Sequence, residues 1–270
     1  MKKQRIVLKF GSGILARAKG NGLDEGQFRK LADAVAGLVK GGAQCIIVSS
    51  GAVAAGMPVL GLAERPAELA ARQACAAAGQ SRLMGLYSDK FAAHGLAVAQ
   101  LLLTHGDLDS RKRRTNAGNT LERLLERGNV VPIVNENDSV AVEELRFGDN
   151  DHLSAEVAML ARADLLIILT SVDGLMDGKG EVVEEVGDIE AVAGLVRNEK
   201  GKLSVGGMVT KLEAVRLALD AGIETVIANG RKAERIGKIV GGKGGGTRFL
   251  VGGMGEPKKL KGSKLGGKRV

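Results

Sequence analysis

Six short aliphatic runs, each closed by small or polar residues, constrain this chain more than anything else in it. They are Arg5 to Phe10, Cys45 to Val48, Val98 to Leu103, Val130 to Val134, Leu165 to Leu169 and Thr225 to Ala228. Stretches of helical spacing separate them. In Asp24 to Val39, for example, Phe28, Leu31, Val35 and Leu38 share a face and Gly41-Gly42 stops the helix. Near-continuous apolar strands alternating with helices call for an α/β fold, with a parallel or mostly parallel sheet covered on both faces. Further helices are expected over Pro66 to His94 (two, meeting near Gly79), Asn119 to Arg127, Asp151 to Ala163, Met208 to Ala221 and Ala233 to Val240. Glu181 to Val186 reads as a short hairpin strand and Asn198 to Gly207 as a polar loop.

Composition narrows what such a sheet serves. With no Trp, one Tyr and five Phe, the core has to be built from aliphatic side chains. No apolar run approaches the roughly 20 residues of a membrane span. The start, Met-Lys-Lys-Gln-Arg, passes directly into a strand and does not read as a signal peptide. Cys45 and Cys75 read as small buried hydrophobes of a reducing, cytoplasmic protein. The net charge of +8 is unevenly spread: residues 231–270 hold 12 basic against 2 acidic side chains, and residues 1–230 hold 27 against 29. A near-neutral body, 1–252, is therefore expected to carry a basic Gly/Lys-rich tail or linker, 253–270. An RNA-binding module built on that tail is the competing class. The body argues against it, being slightly acidic and poor in stacking aromatics.

In a sheet of this kind ligands bind beyond the carboxyl ends of the strands. There the chain places Lys9 with Gly11-Ser12-Gly13, Ser49-Ser50-Gly51, Asn135-Glu136-Asn137-Asp138 and Thr170-Ser171. Asp and Asn at an element end serve as turns or helix N-caps. Two such clusters, Asn135 to Asp138 and Asp149 to Asp151, with Val140 to Phe147 looping between them, ask for more than capping. Gly11-Ser12-Gly13-Ile14-Leu15-Ala16 fits the dinucleotide pattern G-x-G-x-x-A. It lacks both the long helix that should follow and an acidic residue at the end of the second strand. What remains is a lysine beside exposed backbone N–H groups, which suits phosphate oxygens as well as it suits a simple turn. Gly206-Gly207-Met208-Val209-Thr210-Lys211 opens a helix with Lys211 in its first turn. A cation there opposes the helix dipole, which favours a negative ligand. The three histidines have no metal-ligand spacing, and neither cysteine has a base near it in sequence. Lysines beside glycines, carboxylates and amides, without an obvious general base, fit phosphoryl transfer to an acceptor that arrives ionised.

In this order, Lys9-Phe10-Gly11-Ser12, Ser50-Gly51-Ala52-Val53-Ala54-Ala55-Gly56, Gly79-Gln80-Ser81-Arg82, Asn135-Glu136-Asn137-Asp138, Gly148-Asp149-Asn150-Asp151 and Gly206-Gly207-Met208 through Lys211 resemble the amino acid kinase family. The Asn-Glu-Asn-Asp and Gly-Asp-Asn-Asp pair resembles the glutamate 5-kinases within it. The resemblance covers about residues 4–250. It implies an αβα sandwich with a central mostly parallel sheet, and transfer of the ATP γ-phosphoryl group to the side-chain carboxylate of L-glutamate, the first step of proline biosynthesis. Another acceptor within the family is the alternative. The resemblance implies catalytic roles for Lys9 and Lys211, with Asp151 orienting them. Ser50, Asp138 and Asn150 would bind glutamate, with Gly51, Asn135 and Asp149 close by. The nucleotide would lie against Lys9, Gly11, Ser12, Thr170, Ser171 and Val205, Gly206, Gly207, Met208, Val209, Thr210 and Lys211. Mg²⁺ would sit mainly on phosphate oxygens and water, and no protein side chain is singled out as its ligand. A homo-oligomer, dimer or tetramer, and proline as feedback inhibitor are also implied, with no membrane or nucleic acid partner. The chain departs from the family's usual residues at Ser171, Met176 and Val205, all on the nucleotide side. Many members continue into a PUA domain, which would start where this sequence stops.

Overall fold

The protein is described by a computed structural model over residues 3–17, 22–140, 149–192 and 205–252. From the N-terminus, β1 (Arg5–Phe10) leads through the turn-length α1 (Ser12–Leu15) to α2 (Glu25–Lys40) and β2 (Gln44–Val48). Next come α3 (Ala52–Gly56), the long α4 (Leu69–Ala92), β3 (Ala97–Leu103), α5 (His105–Asp109), α6 (Arg111–Glu126) and β4 (Val130–Glu136). The second half runs α7 (Asp149–Leu160), β5 (Leu165–Thr170), β6 (Glu185–Val186), α8 (Val205–Asp220), β7 (Glu224–Asn229), a 3-10 turn (Ala233–Arg235), α9 (Ile236–Val240) and β8 (Thr247–Phe249). The strands form one sheet in the order β3-β4-β2-β1-β5-β7-β8-β6. From β3 to β7 every pairing is parallel, and β8 returns antiparallel to β7 while pairing parallel with β6.

Strand alternation divides the interior into two cores. Ile6, Leu8 and Phe10 of β1 pack with α2 and α4 on one face. Val7 packs on the other face with α6, α7 and α8. The result is the three-layer αβα sandwich expected from the sequence. The same alternation sends Lys9 to the side of α7 and α8, at the last odd position of a central strand. The buried end of this strand thus carries an ammonium group where Val7 has a methyl.

Some elements differ from expectation, each for a physical reason. The segment expected to hold two helices meeting near Gly79 is the single 24-residue α4. Gly79 sits inside it because α3 crosses there: a Cβ at Gly79 would lie 1.9 Å from Ala52 O, and one at Gly56 would lie 1.8 Å from Cys75 O. The glycines permit backbone-to-backbone contact and do not break the helix. Helix α6 begins at Arg111, not near Asn119, and its first turns (residues 111–116) are exposed and so carry no apolar period. Strand β4 continues through Asn135 and Glu136, which pair with Leu102 and Leu103, so half of the presumed turn cluster is strand. The hairpin expected over Glu181 to Val186 is confined to an antiparallel bridge between Met176 and Val182, and the two-residue β6 that follows pairs parallel with β8 instead. Helix α8 starts at Val205, which puts Lys211 in its second turn.

Candidate active site

Three charged side chains from three elements meet beyond the end of β1. Lys9 Nζ lies 2.5 Å from Asp151 Oδ1, and Lys211 Nζ lies 2.9 Å from Asp151 Oδ2. Asp151 comes from the first turn of α7, and its side chain is 2% exposed. Thr210 Oγ1 donates to the same carboxylate at 3.3 Å, and Lys211 Nζ also donates to Gly207 O at 2.9 Å. A cation near the start of α8 was expected to want a negative ligand. The chain itself supplies one negative partner, Asp151, and both of that carboxylate's oxygens face ammonium groups.

Electrostatics follow from burial. Desolvation alone would raise the Asp151 carboxyl, but Lys9 and Lys211 together outweigh it and hold the pKa below the ordinary carboxylate value. Burial lowers the Lys9 pKa, aided by the charge on Lys211 and opposed by Asp151. Two positive charges against one negative leave the cluster with an excess of positive charge, in a place where water screens it poorly. A phosphoryl group in transfer, with charge spread over its oxygens, would meet complementary potential here.

A second, uncharged network adjoins it through α7, because Asn150 precedes Asp151. Asn150 Nδ2 donates to Ser50 Oγ at 3.0 Å and reaches Asn135 Oδ1 at 3.4 Å. Asn135 Nδ2 donates in turn to Gln80 Oε1 at 3.0 Å. Gly51 follows Ser50 with φ at 99°, a left-handed conformation that glycine adopts without strain, and caps α3. Beside this network lies a cavity of ≈ 370 Å³, lined by Ala52, Ala76, Ala77, Gln80, Glu136 and Asp138 among others. That is a small-molecule volume. Gln80 Nε2 and Asn150 Oδ1 are buried and have no hydrogen-bond partner among the described residues. One is a donor and the other an acceptor, the two kinds of group that a zwitterion engages.

On the far side of Lys9, Gly11 N donates to Leu169 O at 3.2 Å, and a Cβ on Gly11 would lie 3.6 Å from Lys9 Nζ. The glycine turn of β1, including Ser12, thus abuts both the lysine and the end of β5. Thr170 ends β5 and its carbonyl accepts from Gly230 N at 2.9 Å. Ser171 is exposed, with its Oγ 4.0 Å from where a Cβ on Gly13 would be. Helix α1 spans four residues, too short for a dinucleotide-binding helix.

The structure therefore joins Lys9, Asp151, Thr210 and Lys211 in one cluster, and Ser50, Asn135 and Asn150 in another. Asp138 lines the cavity. Gly207 touches Lys211, and Met208 packs against the core under α8. Val209 is partly buried on the same helix. Val205 and Gly206 begin α8 and Asp149 begins α7; their side chains, the Val140 to Phe147 loop beyond Val140, and the 253–270 tail lie outside the described residues. Gln80 and Glu136 were not singled out from sequence as site residues. The signal was present, since both stand inside motifs quoted above, but nothing in a linear string sets α4 against the end of β4.

Comparison with known proteins places the chain in context. Residues 4–229 match the amino acid kinase family. The chain is similar to glutamate 5-kinase of Thermobifida fusca, with 47% identity over 242 residues, 86% of this chain and 62% of that protein. It is similar also to glutamate 5-kinase of Dehalococcoides mccartyi, with 46% identity over 257 residues, 92% of this chain and 68% of that protein. It spans about two thirds of the length of the curated relatives it matches. Among solved structures it is similar to carbamate kinase from Giardia, with a TM-score of 0.66 and 18% identity over 93% of this chain and 99% of the other. The same kinase from Giardia lamblia bound to AMP-PNP gives a TM-score of 0.62 at 16% identity, over 92% and 98%. These structures share the fold.

Proposed function

Because the chain belongs to the amino acid kinase family, we propose that it transfers the γ-phosphoryl group of ATP to the side-chain carboxylate of L-glutamate, giving glutamyl 5-phosphate for proline biosynthesis. The observation that carries this reading is the pair of lysines held on Asp151 beside a cavity bordered by amides and Asp138. Both Asp151 oxygens are engaged by ammonium groups, which leaves this carboxylate poorly suited to act as a base. A carboxylate acceptor, with an ordinary pKa of about 4, needs none. Similarity to curated glutamate 5-kinases supports the choice of acceptor.

In this reading residues 1–252 form the catalytic domain. Ser50, Asn135, Asp138 and Asn150 hold glutamate, with Gly51 shaping the turn and Asp149 at the start of α7. Gln80 joins them. Gly11, Ser12, Thr170, Ser171 and the first turns of α8, Val205 to Thr210, receive the nucleotide. Lys9 and Lys211 neutralise charge on the transferring group. Mg²⁺ enters with ATP on its phosphates, where it keeps most of its water; Asp151 is occupied with the lysines and is not offered to the ion.

With ATP, Mg²⁺ and hydroxylamine, the acyl phosphate is expected to be trapped as a hydroxamate only when glutamate is supplied. Signal with another carboxylate and none with glutamate would remove the substrate and keep the kinase. Proline shares glutamate's α-amino and α-carboxylate groups, so we expect it to raise the apparent KM for glutamate; a proline-insensitive KM ends that part. Dimers or tetramers are expected by sedimentation, and a monomer at assay concentration would exclude them. No helix among the described residues is long and apolar enough to cross a membrane.

A further inference from the structure

Tyr87 lies in α4, and its hydroxyl meets Ser49 Oγ at 2.8 Å. Its ring stands edge-on to Phe28 with centroids 4.8 Å apart, so it is wedged between α4 and α2. Ser49, completely buried just past β2, donates its hydroxyl to Ser50 O at 3.1 Å. A serine hydroxyl has one proton. With that proton given to the Ser50 carbonyl, the bond to Tyr87 has only one possible sense: the phenol donates and Ser49 Oγ accepts. Burial pushes the Tyr87 phenol well above its ordinary pKa, against the smaller lowering effect of Ser49, so the donor keeps its proton.

The two bonds run in one direction, from the helical layer to a single peptide group. That peptide joins Ser50 to Gly51, whose left-handed φ of 99° lets the chain turn away from the strand. Ser50 is gripped from the other face of the sheet as well, its Oγ accepting from Asn150 Nδ2 at 3.0 Å. One residue is thus tied by its carbonyl to the α2–α4 layer and by its side chain to α7. Without the first tie, a peptide beside a glycine is free to rotate and carry Ser50 Oγ off Asn150.

We infer that Tyr87 is a positioning residue for the acceptor, fixing the Ser50–Gly51 peptide through Ser49. The inference rests on the proposed reading of the Ser50–Asn150 network as the acceptor side. It does not require that the acceptor be glutamate. Tyr87 touches no reacting atom; it acts through Ser49.

Tyr87→Phe, Ser49→Ala and the double variant are to be assayed by hydroxamate trapping, varying acceptor and ATP separately. Each single change is expected to raise the KM for the acceptor about tenfold, the loss of one buried hydrogen bond, and to leave the KM for ATP within about twofold. The double variant should be no worse than the worse single variant, because both changes cut one chain of bonds. A lower thermal midpoint with unchanged acceptor KM makes Tyr87 a packing residue only and overturns the inference. Equal rises in both KM values, or additive effects in the double variant, overturn it too. If the unmodified chain uses a different acceptor, the choice of glutamate falls, and the same pattern measured with that acceptor still decides Tyr87. A chain inactive with every acceptor loses both.

Discussion

Two lysine–carboxylate pairs in this molecule have the same length and very different surroundings. Lys9 and Asp151 meet at 2.5 Å with side chains 7% and 2% exposed, while Lys232 and Asp173 meet at 2.5 Å with side chains 37% and 39% exposed. Both stand at the carboxyl-terminal edge of the parallel strands. Both carboxyls are held below their ordinary pKa, but for different reasons. At Asp173 the hydrogen bond from Lys232 leads, with Asn229 helping. At Asp151 burial pulls upward and two lysines together overcome it. Water screens the Lys232–Asp173 pair and takes its place easily if it breaks. It does neither for Lys9–Asp151, so removing a partner there strands a charge. Distance therefore does not distinguish the pair proposed to serve phosphoryl transfer; desolvation and the third charge, Lys211, do.

The comparison can be broken in four places, beginning with the largest effect. Asp151→Asn leaves two neighbouring ammonium groups without a counter-charge and should cost about 3–5 kcal/mol in urea unfolding. A loss near zero would mean that burial gives the pair no special weight. Lys211→Ala should lower hydroxamate turnover about 10²–10³-fold, with the glutamate KM little changed. An unaltered turnover takes Lys211 out of the chemistry.

Acid acts on both pairs in the same direction, and salt separates them. Between the lowered folded pKa of Asp151 and its ordinary value near 4, the unfolded chain binds more protons, so stability rises with pH across that window. The contribution is complete above the ordinary value and is lost as pH falls through the folded one. Asp173 has the same sign. Molar salt, followed by NMR titration, should move Asp173 back toward its ordinary pKa and leave Asp151 in place; equal movement would make the environments equivalent. The smallest effect is expected for Asp173→Asn, at most about 1 kcal/mol and fading in salt. A cost matching that of Asp151→Asn would erase the distinction.

Much of this was legible in the sequence because the relevant signals are local. Lys9 ends an apolar run, and the parity of that run decides which face receives it. Asp149 to Asp151 stand at the head of a helical period. The strand ends collect where a parallel sheet must collect them. What escaped was set by partners far along the chain. Gly79 looked like a break because its reason, the carbonyl of Ala52, is 27 residues away in sequence. The first turns of α6 face water and so lack the apolar period that would mark them. Lys211 was placed one turn too early because Gly206-Gly207 resembles a helix boundary. Tyr87 gave no hint of Ser49, since an aromatic one turn from Phe91 in an Ala-rich helix reads as core filling, which it also is.

The backbone contact of α3 with α4 has a bearing on how this protein can change over generations. The cavity wall there is made of Ala52, Ala76 and Ala77, and the two helices that carry them already touch at Gly56 and Gly79. Trimming these side chains yields almost nothing, and the helices have no slack to draw apart without exposing apolar surface. Larger side chains at the alanines would shrink the chamber one methyl at a time. Change along this wall is a ratchet: a narrower cavity is one substitution away, and a wider one must come from other lining residues, Asn137, Asp138 and Ser139 among them.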